Sequence, residues 1–163
     1  MLIRCSDDHV IIDQLDIFSL EILRLIPVSA NPDGNKEAED RLFSSPEKVG
    51  GKFTEDWKAY VEPGLRHLFQ TALETVESDL KNPEEIATGQ RGPEYLVRVP
   101  RAHIEAWVSA VNQARLVIAA KHRFDTPDIE SGLPESVESP RDMALLQIHL
   151  YDFLLLNLLQ EME

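Results

Sequence analysis

The spacing of apolar side chains divides the chain into a few long helical patterns and a few short alternating ones. The most apolar stretch comes last: from Met143 to Leu159 only four of seventeen positions are polar, Gln147, His149, Asp152 and Asn157. Ser139-Pro140-Arg141-Asp142 ahead of it has the chemistry of a helix start. Ser139 can accept from free backbone N–H groups, Pro140 sits where no N–H is needed, and Asp142 faces the positive end of the dipole. A helix from Pro140 to Met162 would run roughly 34 Å at ~1.5 Å per residue. Being apolar on nearly every side, it has to be surrounded by other elements or by a second copy of the chain.

The remaining patterns supply those elements. Leu2-Ile3-Arg4-Cys5 and Val10-Ile11-Ile12 are β-prone runs around the turn-forming Ser6-Asp7-Asp8-His9, which predicts a hairpin. Asp13 or Asp16 then caps a helix with Phe18, Ile22, Leu25 and Ile26 on one face, ended by Pro27. Residues 28–53 hold three proline- or glycine-bearing turns and read as a long loop, tacked down at Leu42 and Phe43 by a short helical turn starting near Asn35. Thr54 caps the next helix, which Pro63 restarts or kinks and which carries Leu65, Leu68, Phe69, Ala72, Val76 and Leu80. A loop is expected at 82–94, then a strand at 95–99 that adds to the hairpin. Pro100 opens a helix over 101–122, with Ile104, Trp107, Val108, Val111, Arg115 and Ile118 on one stripe. An acidic loop over 123–139 leads to the last helix. The expected fold is one α+β domain over 1–163, mostly helical, with long helices around a buried C-terminal helix and an antiparallel sheet of about three strands.

Composition narrows the function. With 29 acidic residues against 16 basic, a net charge of −13, the chain repels phosphate backbones and anionic lipid, so nucleic acid is not an expected partner and a protein with a basic surface is. Cys5 is the lone cysteine, which excludes an intrachain disulfide and suits a reducing cytoplasm. Met1 to His9 lacks the basic and apolar regions of a secretory signal, and the polar interruptions of the last helix argue against a membrane span. No chemistry-bearing motif stands out. His9, His103, His122 and His149 show no ligand spacing, so no metal or cofactor is expected, and His122 reads as a helix-end residue facing the dipole. Neither a Gly-x-Ser-x-Gly elbow nor a phosphate loop is present, and no catalytic residue is assigned.

The polar residues set into the two longest helices are the candidate site. Asn112 and Arg115 are three apart on one helix edge, and Tyr151 and Asp152 interrupt the other helix. A charge on an apolar stripe needs a counter-charge, so Arg115 should meet Asp152, with Asn112 or Tyr151 filling the remaining donors and acceptors. This cluster of Asn112, Arg115, Tyr151 and Asp152 either fixes the register of two helices or lines a pocket for an anionic ligand.

Val97-Arg98-Val99-Pro100-Arg101, Ala106-Trp107-Val108, Asn112 with Arg115-Leu116, Leu150-Tyr151-Asp152-Phe153 and Leu158-Leu159-Gln160-Glu161 together resemble a bacterial family known as domain of unknown function 2017. The resemblance covers the last seventy or so residues best, and departs from the family in Phe153, where a tryptophan is usual, and in the length of the 28–53 loop. Members are often encoded beside the adaptor of the Clp protease. The resemblance therefore implies a cytoplasmic, non-enzymatic protein-interaction or regulatory domain, adaptor-like and linked to regulated proteolysis. The C-terminal helix is either buried within its own domain or donates one stripe to a twin, and a homodimer through it is the second of these two expected arrangements. The alternative is a protein binding an anionic small molecule, or a hydrolase, with its pocket at Arg115 and Asn112.

Overall fold

The computed structural model describes residues 1–46, 51–89 and 92–162. The hairpin forms as β1 (Leu2–Cys5) and β2 (His9–Leu15), in antiparallel register from Leu2 opposite Asp13 to Cys5 opposite Val10. Ser6 closes the turn, its N–H donating to the His9 carbonyl at 2.9 Å. Two further strands, β3 (Glu84–Gly89) and β4 (Gly92–Pro100), complete an antiparallel sheet in the order β1-β2-β4-β3. Among the described residues there are thus four strands where about three were expected, and most of the 82–94 loop is strand. The sequence hides β3 because Glu84-Glu85 breaks the apolar alternation; its strand form comes from pairing with Leu96 and Tyr95 at the sheet margin. Residues 90–91 of that expected loop lie outside the described residues.

Val10, Ile12, Leu15, Val97 and Val99 turn into the core. Ile12 and Leu15 are three apart, so strict alternation would put them on opposite faces. The register slips between them, with Gln14 in the left-handed region at φ 53°, and this bulge returns Leu15 to the inner face.

Helix α1 (Ile17–Arg24) starts at Asp16, whose Oδ1 accepts from the Ser19 N–H at 2.7 Å. Its inner face differs from the expected one: Leu20, Ile22 and Leu23 are buried, while Phe18 and Leu25 are exposed. Pro27 does not end the helical run. It occupies the first turn of a short α2 (Ile26–Ser29), where its missing N–H costs nothing. The region expected as a loop over 28–53 contains α3 (Lys36–Phe43), capped by Asn35, whose Oδ1 accepts from Ala38 N at 3.0 Å. Its residues 47–50 lie outside the described residues.

The next helix begins at Lys52, ahead of the expected Thr54 cap, as α4 (Lys52–Asp56). It continues through one wide π-turn at Trp57–Val61 into α5 (Glu62–Asp79). The wide turn directly precedes Pro63, whose ring and absent N–H disturb the regular ladder. A single 3₁₀ turn at Arg101–His103 leads into α6 (Ile104–His122), and α7 (Thr126–Glu130) interrupts the expected 123–139 loop with its own capping box on Asp125. The chain ends in α8 (Pro140–Gln160).

The main core joins the inner sheet face to α1, α2, α5, α6 and α8. A second, smaller cluster seats Ala38, Leu42 and Phe43 of α3 on Val117 and Ala120 of α6. Helix α6 therefore meets α2, α3, α5 and α8 and is enclosed on most sides, whereas α8 packs through one face. That face comprises Ala144, Gln147, Ile148, Tyr151, Leu154, Leu155 and Leu158, at helical spacing. By length and composition α8 also meets the criteria for crossing a membrane, and here its inner face lies on α6.

The start of α8 is tied by a reciprocal pair: Asp142 N donates to Ser139 Oγ at 3.1 Å, and Ser139 N donates to Asp142 Oδ2 at 2.9 Å. Hydrogen bonds from the Ser139 hydroxyl and the Glu138 backbone hold the Asp142 carboxyl below the usual range. Ser139→Ala should lower stability by about 1 kcal/mol, the usual worth of such a cap, as measured by urea denaturation. A change within error would show that α8 is held by packing alone.

Candidate functional site

Arg115 and Asp152 face each other across the α6–α8 contact, with Arg115 Nε turned away from solvent toward Asp152 Oδ1. Asn112, one turn earlier on α6, accepts from Arg115 Nη1 at 3.3 Å. Three of the four candidate residues are thus together. The Arg115 and Asp152 side chains are 29% and 27% exposed, so water screens the pair only in part.

Tyr151 stands apart from them. A step of ~100° per residue turns it from Asp152 into the core, where it is fully buried and donates to the Ile22 carbonyl at 2.8 Å. Burial pushes its hydroxyl well above the ordinary range, against opposing hydrogen bonds from Ser29 and Gln147. Tyr151 therefore ties α8 to α1 and is not a donor to the Arg115 cluster.

A second polar cluster escaped the sequence reading. Asp79, at the end of α5, accepts from Trp107 Nε1 at 2.8 Å and lies 3.0 Å from His103 Nδ1. Trp107 is fully buried, and a buried indole N–H needs an acceptor. The signal was present in the sequence: Asp79 follows Val76 by three and precedes Leu80, so it borders the apolar face of α5.

Other groups contribute less chemistry. Partial burial and the Glu161 carboxylate push the Cys5 thiol up to about 11, so it stays protonated at neutral pH. At the end of α6, burial, then Arg141 and Lys121, hold His122 below its ordinary value. Its ring stacks on Phe124 at 5.8 Å, and Arg141 lies over the other aromatic ring at 4.3 Å, pinning the chain after α6. Among the described residues no group of three His, Cys, Asp or Glu side chains converges as metal ligands would. Beside Arg115 opens a shallow cleft of about 420 Å³, bordered by Arg41, Phe124 and Thr126, and Asn112 is not part of its lining. The Arg115 charge is already met by Asp152, and Arg41 is paired with Glu37 at 2.6 Å.

Two measurements separate the roles of these clusters. Arg115→Met and Asp152→Leu should each destabilise by about 1–2 kcal/mol, between an exposed and a fully buried pair, while the double variant falls short of their sum by about 1 kcal/mol in urea denaturation. Strict additivity would mean the two groups are uncoupled and Arg115 is held for something else. Trp107→Phe should cost about 1–3 kcal/mol, because Asp79 loses a donor in a site largely closed to water. A smaller loss in Asp79→Asn, which keeps an acceptor, would identify the hydrogen bond as the cause.

No curated protein and no solved structure matches the chain. A family match covers residues 15–162, extending the resemblance seen in the last seventy residues over α1 to α8 and strands β3 and β4. The chain belongs to the family described as domain of unknown function DUF2017.

Proposed function

We propose that the chain is a cytoplasmic, non-enzymatic protein-interaction domain that works as a homodimer built on the outer face of α8. The supporting observation is the side of α8 turned away from α6. There Phe153, Leu156 and Gln160 stand exposed, with the half-buried Leu146 and His149 on the turns before them, and the five recur at alternating steps of three and four, the spacing of a seam between two paired helices. Phe153 is 45% and Leu156 64% exposed. The stripe runs about 21 Å along the helix. A two-fold axis sets each patch against itself, so an apolar stripe is its own complement.

Charge favours this face above the rest of the surface. Two chains of net charge −13 repel each other, and from Met143 to Gln160 the one Asp, Glu, Lys or Arg is Asp152, already matched by Arg115. Helix α8 thus offers a nearly uncharged strip on an acidic molecule. An adaptor-like role in regulated proteolysis, which the family resemblance suggested, is the finer form of this proposal. The alternative of an anionic ligand or a hydrolytic reaction at Arg115 and Asn112 has less support, since Asp152 and Asn112 already occupy the guanidinium.

Sedimentation equilibrium tests the homodimer. The wild-type protein should sediment as a dimer at micromolar concentration, and Leu156→Asp as a monomer whose melting stays within ~0.5 kcal/mol, as expected of a surface change. A wild-type protein that remains monomeric at high micromolar concentration would remove the proposal.

A further inference from the structure

We propose that the groove between α3 and α5 binds a basic, apolar peptide segment of another protein. The groove encloses about 610 Å³ between the α2–α3 connection, α3 and α5, with α6 as its floor. That volume falls within the ~300–1,000 Å³ usual for binding pockets. None of its lining residues lies on α8, so this surface is independent of the proposed dimer face.

Its walls and rim differ in character. Val28 and Pro32 on one side face Phe69 and Leu73 on the other, giving an apolar channel. Glu39, Glu74 and Glu77 stand around it, and the single cation in the lining is Arg66. Arg66 is spent: its Nη2 lies 2.7 Å from Glu39 and 2.7 Å from Glu62, and its guanidinium sits 3.9 Å over the Phe43 ring. Glu39 is thereby neutralised. Glu74 accepts only the Gln70 amide at 3.0 Å, and Glu77 has no partner among the described residues. Beyond Glu77 the groove gives way to Arg24, paired with Glu21, and Lys81. Two carboxylates are left over along one wall.

The floor adds a polar group to the groove. Gln113 is 3% exposed, and its Nε2 donates to Ser109 Oγ at 3.1 Å. Its Oε1 accepts from no described residue and is not among the buried atoms closed to solvent, so it is an open acceptor on the floor of the groove. A peptide N–H or an ammonium entering the groove would fill that acceptor. Lysine and arginine suit the whole arrangement, since an aliphatic stem can lie on Phe69 and Leu73 while the charged head reaches Glu74 and Glu77. The net charge of −13 draws such a segment in.

Fluorescence anisotropy at ~150 mM salt, where long-range fields are screened beyond ~8 Å, tests this with a labelled heptapeptide of alternating leucine and lysine. Glu74→Lys combined with Glu77→Lys should weaken binding about tenfold or more, and Gln113→Met severalfold, while Glu130→Lys with Glu135→Lys changes it little. The Glu130 and Glu135 pair alters net charge equally but lies off the groove. Melting curves confirm that each variant is folded. Equal weakening by both charge pairs would overturn the proposal in favour of a diffuse acidic field. Binding of spermidine in place of the peptide would assign the groove to small amines, and equal affinity for a leucine–glutamate heptapeptide would remove the role of charge; either result overturns it too.

Discussion

Burial of the shared face of α6 and α8 is the constraint on which the molecule turns. Each helix is too apolar to stand in water, and each brings one large aromatic with a polar tip, Trp107 and Tyr151, into full burial. A fully buried large side chain contributes roughly 1.5–3 kcal/mol, and that gain survives only if the tip finds a partner. Asp79 meets the indole and the Ile22 carbonyl meets the phenol, so burying this pair fixes where α5 and α1 must lie. The sheet then covers a side that those helices leave open. Position thus propagates outward from two hydrogen bonds made where water is excluded.

Much of this order was legible because local chemistry and global packing agree. Ser139, Pro140 and Asp142 mark the start of α8 whatever surrounds it, as Asp16 does for α1 and Asn35 for α3. Arg115 announces a counter-charge because it interrupts an apolar stripe, and a carboxylate on the neighbouring helix is the natural supplier. The misreadings arise where distant contacts override local preference. Glu84-Glu85 becomes strand through a partner ten or more residues away, and Phe18 and Leu25 yield the inner face to Leu20 and Leu23 because α1 lies against the sheet at a rotation that spacing alone does not specify. Tyr151 was grouped with Asp152 by adjacency, though neighbours in a helix point about 100° apart. The Asp79 cluster needed two segments brought together, the end of α5 and residues 103–107, which no single window of sequence displays.

Charge and apolarity are distributed over this surface with some separation. The acidic residues give the chain a repulsive exterior, and α8 interrupts it with a strip on which Asp152 is the one Asp, Glu, Lys or Arg between Met143 and Gln160. The groove at α3 and α5 combines both properties, with apolar walls beneath unmatched carboxylates. The two places thus differ in the company they favour: one suits a surface like itself, the other a surface of opposite sign. An interaction domain with both would hold its own twin and a foreign segment at once without competition between them.

The margins of the sheet add a restriction of their own. Arg4 projects from β1 and Glu84 and Glu85 from β3, and β1 is only four residues long. A strand from a neighbouring molecule laid along either hem would have to pack against these charged side chains, Arg4 ion-paired with Asp13 and Glu84 with Arg98, and along β1 would find little length to grip. Ribbon-like stacking between copies is thereby discouraged at both borders, and concentrated solutions of the folded protein should be spared growth into fibres from its sheet.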